Sequence, residues 1–176
     1  QRENITSAIA CAKQTKSYLD KYNEYTDKKE TTKWLAIGYS NGGEMAIDFQ
    51  NAFTNFFGKS QIDFDLVLTV DPIVQTIKYP FHAFKNSIGK RNDNTKRFIN
   101  FYQRSDHKSL PILELRGKPV VGADRNIEIM NNESYMSASG YQNHINISAT
   151  SQVLLTMQCE IEELIFTDQN CSVSQE

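Results

Sequence analysis

The chain has 176 residues, 39% hydrophobic and 11% aromatic, with 19 Lys and Arg against 21 Asp and Glu. That length carries one domain with a sizeable core, and a formal charge of −2 with a pI near 6.0 gives no electrostatic basis for binding a nucleic acid. No apolar run approaches the ~18 residues of a membrane span, and the opening QRENITSA, which has no initiator methionine, lacks the charged-then-apolar pattern of a signal peptide.

Ile5, Ile9, Ala12, Tyr18 and Tyr22 recur at helical spacing, so the first element is expected to be an amphipathic helix over about residues 3–28. Its lysines alternate with Asp20, Glu24, Asp27 and Glu30 and read as a solvated face. WLAIGY, Trp34 to Tyr39, is a short apolar run of the kind covered on both faces of a parallel sheet. Past Ser40, the positions of Met45, Ala46, Phe49, Ala52, Phe53 and Phe56 predict a second helix closed by Gly58.

FDLVLTV, Phe64 to Val70, is a second buried-type strand, stopped by Asp71-Pro72. Residues 73–95 read as a polar loop with an aromatic knot, YPFHAF, and RFINFYQ, Arg97 to Gln103, as a third strand. PILELRGKPVVGA suggests two short extended segments around Gly117. A polar stretch and HINI then lead to a final helix, SQVLLTMQCEIEELIF, with Ser148 or Thr150 as its N-cap. Helices alternating with apolar strands, without repeat or linker, predict a single α/β domain over 1–176 with a mostly parallel sheet. Cys11, Cys159 and Cys171 have no metal-type spacing, cannot all pair, and read as ordinary thiols. Four Asn-x-Ser/Thr triplets, at Asn4, Asn132, Asn146 and Asn170, do not assign a compartment.

A bare Gly-x-Ser-x-Gly is weak, because glycine and serine are both common. Here an apolar strand enters GYSNG directly and a helix leaves it directly. That is the setting of a nucleophile elbow, in which Ser40 sits on a strained turn. Gly38 and Gly42 would be needed where strand and helix nearly collide, with Gly43 adding clearance. The helix also aims its N-terminus at the serine, favouring negative charge there.

A serine hydroxyl needs a base, and the base an orienting acid. His82 lies in the aromatic loop and His107 among charges. His144 precedes the last helix, where a Ser…Asp…His chain order places the base. For the acid, Asp71 ends the strand after the serine's own. Asp106 follows the next strand and is the alternative, and Asp124 is a third candidate.

GYSNGGEMA, DLVLTVDPI, FINFYQ…LRGKPVVGADRN and HINI before a helix together resemble the second half of an α/β-hydrolase of the lipase/esterase type. TVDP resembles the strand end that supplies the acid in pancreatic-type lipases, while in many other members the acid comes one strand later, where Asp106 stands. The resemblance implies a serine hydrolase acting on carboxylic esters or related acyl compounds through Ser40, His144 and Asp71, with no metal or organic cofactor. It also implies that the Asn41 N–H is one oxyanion donor. Tyr39 stands where lipases commonly have histidine.

The family's first strands and its second oxyanion donor have no counterpart upstream of Ser40. Three readings follow: the C-terminal part of a processed hydrolase, first strands on another chain, or a reduced fold. The partners implied are an acyl ester or lipid substrate and a missing N-terminal chain. Lipase, thioesterase and acyltransferase share this machinery. Two rivals stand beside it: a catalytically inactive hydrolase-like binding module, and one chain of a processed enzyme that is inactive alone.

Overall fold

The computed structural model of the chain describes residues 2–26, 33–57, 63–73, 89–104, 117–129 and 147–166. Helix α1 (Arg2–Tyr25) is followed by strand β1 (Leu35–Tyr39), helix α2 (Asn41–Phe57) and strand β2 (Leu66–Val70). Next come β3 (Gly89–Lys90), β4 (Phe98–Tyr102), β5 (Val120–Val121) and β6 (Arg125–Glu128), then a 3-10 turn (Ile147–Ala149) and helix α3 (Ser151–Ile165). β1, β2, β4 and β6 form one sheet in that order, every pair parallel. This is an α/β fold with a parallel sheet flanked by helices.

Alternation along each strand assigns the two faces. Val67 and Phe98 face α1 and α2, packing with Ala12, Ile47, Phe53 and Phe64. There Phe49, Phe53 and Phe64 meet edge to face, with ring centroids 5.6–6.4 Å apart. Leu66, Leu68, Val70, Ile99 and Phe101 face α3 and pack with Ile147 and Val153. β2 and β4 are buried throughout, as their continuous apolar runs predict. The α3 boundary is set locally: Thr150, in extended backbone, accepts from the Val153 N–H, an N-cap bond. Of the two capping candidates, Thr150 is the one used, and Ser148 lies in the 3-10 turn.

The expectations for β1, for residues 73–95 and for Cys159 need correction. β1 is not covered on both faces: Leu35, Ile37 and Tyr39 are 36%, 51% and 38% exposed. β1 is an edge strand, and the apolar cluster under α3 takes in β2, β4 and β6 without reaching it. Residues 73–95 are not all loop, since Gly89–Lys90 pairs in parallel with Val120–Val121 as a separate two-stranded ribbon. β6 carries no apolar strand signal, since Arg-Asn-Ile-Glu has one apolar residue, as an edge strand that is half solvated requires. Cys159, read as an ordinary thiol, is disulfide-bonded, while Cys11 is a free, exposed thiol. Among the described residues no helix is long and apolar enough to cross a membrane.

The amino ends of the strands are tied by charge. Buried Glu160 of α3 pairs with Arg97 at 2.8 Å, before β4, and with Arg125 at 3.1 Å, opening β6. Asp65, just before β2, accepts from the Trp34 N–H at 2.8 Å and from the Lys96 ammonium at 2.9 Å. Burial pushes the Asp65 carboxyl up, but the Trp34 amide and the nearby lysines outweigh it and hold it below the ordinary aspartate value. Its folded pKa is therefore below its unfolded one. The stability it contributes is present above 3.8, the ordinary aspartate value, and is lost as the pH falls through the folded value. Asp65→Asn is expected to cost about 1–2 kcal/mol near neutral pH, since one partner is an exposed lysine. Urea unfolding at pH 7 and in acid checks this: the gap between the two proteins should narrow as the pH drops below 3.8.

Candidate active site

Ser40 alone joins β1 to α2. Its φ is +58°, a left-handed conformation that costs a residue with a Cβ roughly 1–2 kcal/mol. Three backbone bonds hold it there. The Ser40 N–H continues the ladder to the Val70 carbonyl at 3.0 Å, and its own carbonyl accepts from Gly43 at 3.0 Å and Ile73 at 3.3 Å. The helix that starts next presents the Asn41 N–H, one of the donors that a helix leaves without an intrahelical acceptor. Positive potential at that end favours an anion beside Ser40.

Strand and helix meet closely enough to dictate two glycines. A Cβ on Gly38 would run into the Gly42 carbonyl oxygen and come within 2.7 Å of Gly43 Cα. One on Gly43 would lie 2.7 Å from Pro72 Cβ. Gly42 has open space at the same construction. The tight pair is therefore Gly38 and Gly43, not Gly38 and Gly42, because the helix turns the Gly43 face, not that of Gly42, towards the strand ends.

Asp71 closes β2, the strand paired with β1, and also has positive φ, +44°. It is fully buried. Gln103 holds its carboxylate twice: the backbone N–H donates to Oδ1 at 3.2 Å and the side-chain amide to Oδ2 at 3.1 Å. Gly117 lies against the same carboxylate, where a Cβ would overlap Oδ1. The Asp71 charge also reaches Tyr39: burial first, then this carboxylate, raise the Tyr39 hydroxyl, while the Ser148 side chain beside it acts to lower it. The 3-10 turn is thus seated beside the residue that precedes Ser40.

A polar ladder positions Gly117. Thr69 donates to Asn100 at 2.9 Å and Asn100 to Asn126 at 2.9 Å, crossing β2, β4 and β6. Asn100 also donates to the Lys118 carbonyl at 3.1 Å, and Asn126 bonds both backbone groups of Val120. The chain from Gly117 to Val121 is fastened to the sheet by these amides.

The sheet therefore brings Ser40, Asn41 and Asp71 to one end. Asp124 is at the other: its carboxylate accepts from the Phe98 N–H at 2.7 Å, at the start of β4. Five residues of strand separate it from the serine's end, roughly 16 Å, so it is not the acid. His144, Asp106, His82 and His107 lie outside the described residues, as does YPFHAF. Gln103 and Gly117 were not foreseen. The available signal was that Gln103 follows an apolar strand at the same level as Asp71, a polar residue where a parallel sheet keeps its chemistry. The side-chain oxygen of Asn41 is buried with no hydrogen-bond partner among the described residues, and the arrangement does not account for it.

Alanine at these glycines should separate close packing from motif. Gly38→Ala and Gly43→Ala are each expected to destabilise by about 1–3 kcal/mol or more through overpacking. Gly42→Ala should be neutral or stabilising by less than ~1 kcal/mol, as expected for a helical glycine with free space. Urea midpoints of the three variants decide it, and equal losses at Gly38 and Gly42 would contradict the packing described. No family model, curated protein or solved structure matches this chain.

Proposed function

We propose that this chain carries the centre of a serine hydrolase acting on carboxylic esters or related acyl compounds. The observation that carries the reading is the backbone of Ser40. A residue with a Cβ is held at φ +58° between a strand at the edge of a parallel sheet and a helix N-terminus, by three backbone bonds. Strain of this kind persists where the surroundings over-determine it, and such positions cluster at active sites.

In this reading the Ser40 hydroxyl attacks the acyl carbonyl as His144 takes its proton. The tetrahedral oxyanion accepts from the Asn41 N–H, and the proton then goes to the departing alcohol, leaving an acyl-serine. Water, deprotonated by the same histidine, releases the acid and restores the serine. Asp71 orients the imidazole and stabilises its charged form, with Gln103 as the positioning residue for Asp71. Support for His144 is indirect. It stands four positions before Ser148, a distance of chain that covers at most ~14 Å, and the Ser148 side chain acts on the hydroxyl of Tyr39, the neighbour of Ser40. Asp106 is the alternative acid. The Asn41 N–H is the oxyanion donor found among the described residues, and a second donor would be worth on the order of 10²–10³ in rate.

Fluorophosphonate labelling, with the modified peptide located by mass spectrometry, tests the reading. Labelling at Ser40 is expected in the wild-type chain and is abolished by Ser40→Ala and by His144→Ala. Asp71→Asn should reduce its rate by several powers of ten, toward the ~10⁴ seen when a triad acid is neutralised, whereas Asp106→Asn should leave it unchanged. Folded protein that takes no label, with or without its N-terminal partner, would make this an inactive binding module instead.

A further inference from the structure

Cys159 is disulfide-bonded, and Cys11 is a free, exposed thiol. The chain has three cysteines, so the partner left for Cys159 is Cys171, which lies outside the described residues. The fold excludes Cys11 on separate grounds. Cys11 belongs to α1, whose Ala12 packs with Val67 and Phe98 on one face of the sheet. Cys159 belongs to α3, whose Val153, Met157 and Ile161 pack with Leu66 and Leu68 on the opposite face. A disulfide needs α-carbons within about 7 Å of each other, and the sheet stands between these two.

Chain length allows the remaining pair. From Cys159 to its cap at Phe166, α3 rises about 10 Å. The five residues that follow, up to Cys171, reach at most ~17 Å. Phe166 leaves the helix in extended backbone, at φ −112° and ψ 100°. A bond to Cys171 therefore turns the chain back beside α3 and closes a loop of 13 residues around the second half of that helix.

That half of α3 holds the sheet together. Its Glu160 makes the ion pairs with Arg97 and Arg125 that fasten the amino ends of β4 and β6. Ile161 and Leu164 pack on the core beneath. The last turn carries no basic residue, the kind of charge that steadies a helix at its carboxyl end.

We propose that Cys159 and Cys171 form a structural disulfide that clamps the second half of α3, and that the protein matures in an oxidising compartment. Bonds of this kind persist there and are rare where thiols are kept reduced. The oxidant is a dithiol–disulfide oxidoreductase in its disulfide form. One cysteine thiolate attacks a sulfur of that disulfide, giving a mixed disulfide and releasing a thiolate. The second cysteine thiolate then displaces the oxidoreductase, which leaves as a dithiol with the two electrons and the two protons.

Native protein, alkylated in denaturant before any reduction and then digested, tests the bond and the compartment by mass spectrometry. The peptide holding Cys159 should be joined to the one holding Cys171, lighter by two hydrogens than the separate thiol peptides, and Cys11 should carry the alkyl group. Alkylated Cys159 and Cys171, or a Cys159–Cys11 peptide, would overturn the proposal. Urea unfolding of the oxidised 176-residue chain tests the clamp. Cys159→Ser, Cys171→Ser and the double variant should lose the same stability, about ten- to a thousand-fold in the folding equilibrium. Dithiothreitol should bring the wild type to that level and leave the variants unmoved, while Cys11→Ser should match the wild type. Single losses that add in the double variant, or a wild type unmoved by reductant, would overturn the clamp. None of this rests on the hydrolase reading, and no outcome bears on the labelling of Ser40, so the two proposals fail separately.

Discussion

The close approach of β1 and α2 governs much of the architecture at the carboxyl ends of the strands. With a single residue, Ser40, between them, the chain reverses by adopting a left-handed conformation. That conformation survives because Gly38 and Gly43 let the backbones touch and because Pro72 packs on Gly43. The same contact brings Asp71 next to the turn, since Pro72 follows it and the Ile73 N–H bonds the Ser40 carbonyl. A strained serine and a buried carboxylate at neighbouring strand ends are thus consequences of one packing constraint, not two independent features.

Polar chemistry is divided between the ends of the sheet. At the amino ends, Asp65, Glu160, Arg97 and Arg125 form ion pairs that fasten strands to one another and to α3. Burial raises the Glu160 carboxyl even against its two arginines, which marks it as a group whose charge is costly and held for position. Among the described residues, the buried polar groups at the carboxyl ends are amides and hydroxyls around the Asp71 carboxylate. The Thr69–Asn100–Asn126 ladder is satisfied through side-chain and backbone partners, as buried polar groups must be to avoid a desolvation cost. It sets the position of Gly117, and Gly117 with Gln103 confines Asp71. That chain of contacts links the middle of the sheet to the candidate site.

Coverage of the sheet is uneven. α3 protects β2, β4 and β6 on one face, while β1, which delivers Ser40, is the strand left half-exposed.

What the sequence determined by itself was local. Helical spacing, apolar runs and the Thr150 cap place α1, α2, α3, β1, β2 and β4 close to where they lie, because these signals arise between residues a few positions apart. The strand–serine–helix junction was legible for the same reason, down to the serine. Tertiary structure decided everything that depends on which segments meet. β3 and β6 exist through pairing with distant partners and carry no apolar pattern of their own. The exposure of β1 depends on where α3 ends, and the indifference of Gly42 on which helix face turns to the strand. Gln103, Gly117 and Ser148 acquire roles only because Asp71 and Tyr39, separated from them by tens of residues, are brought alongside. Periodicity reports which face of an element is buried; it contains no information about what buries it.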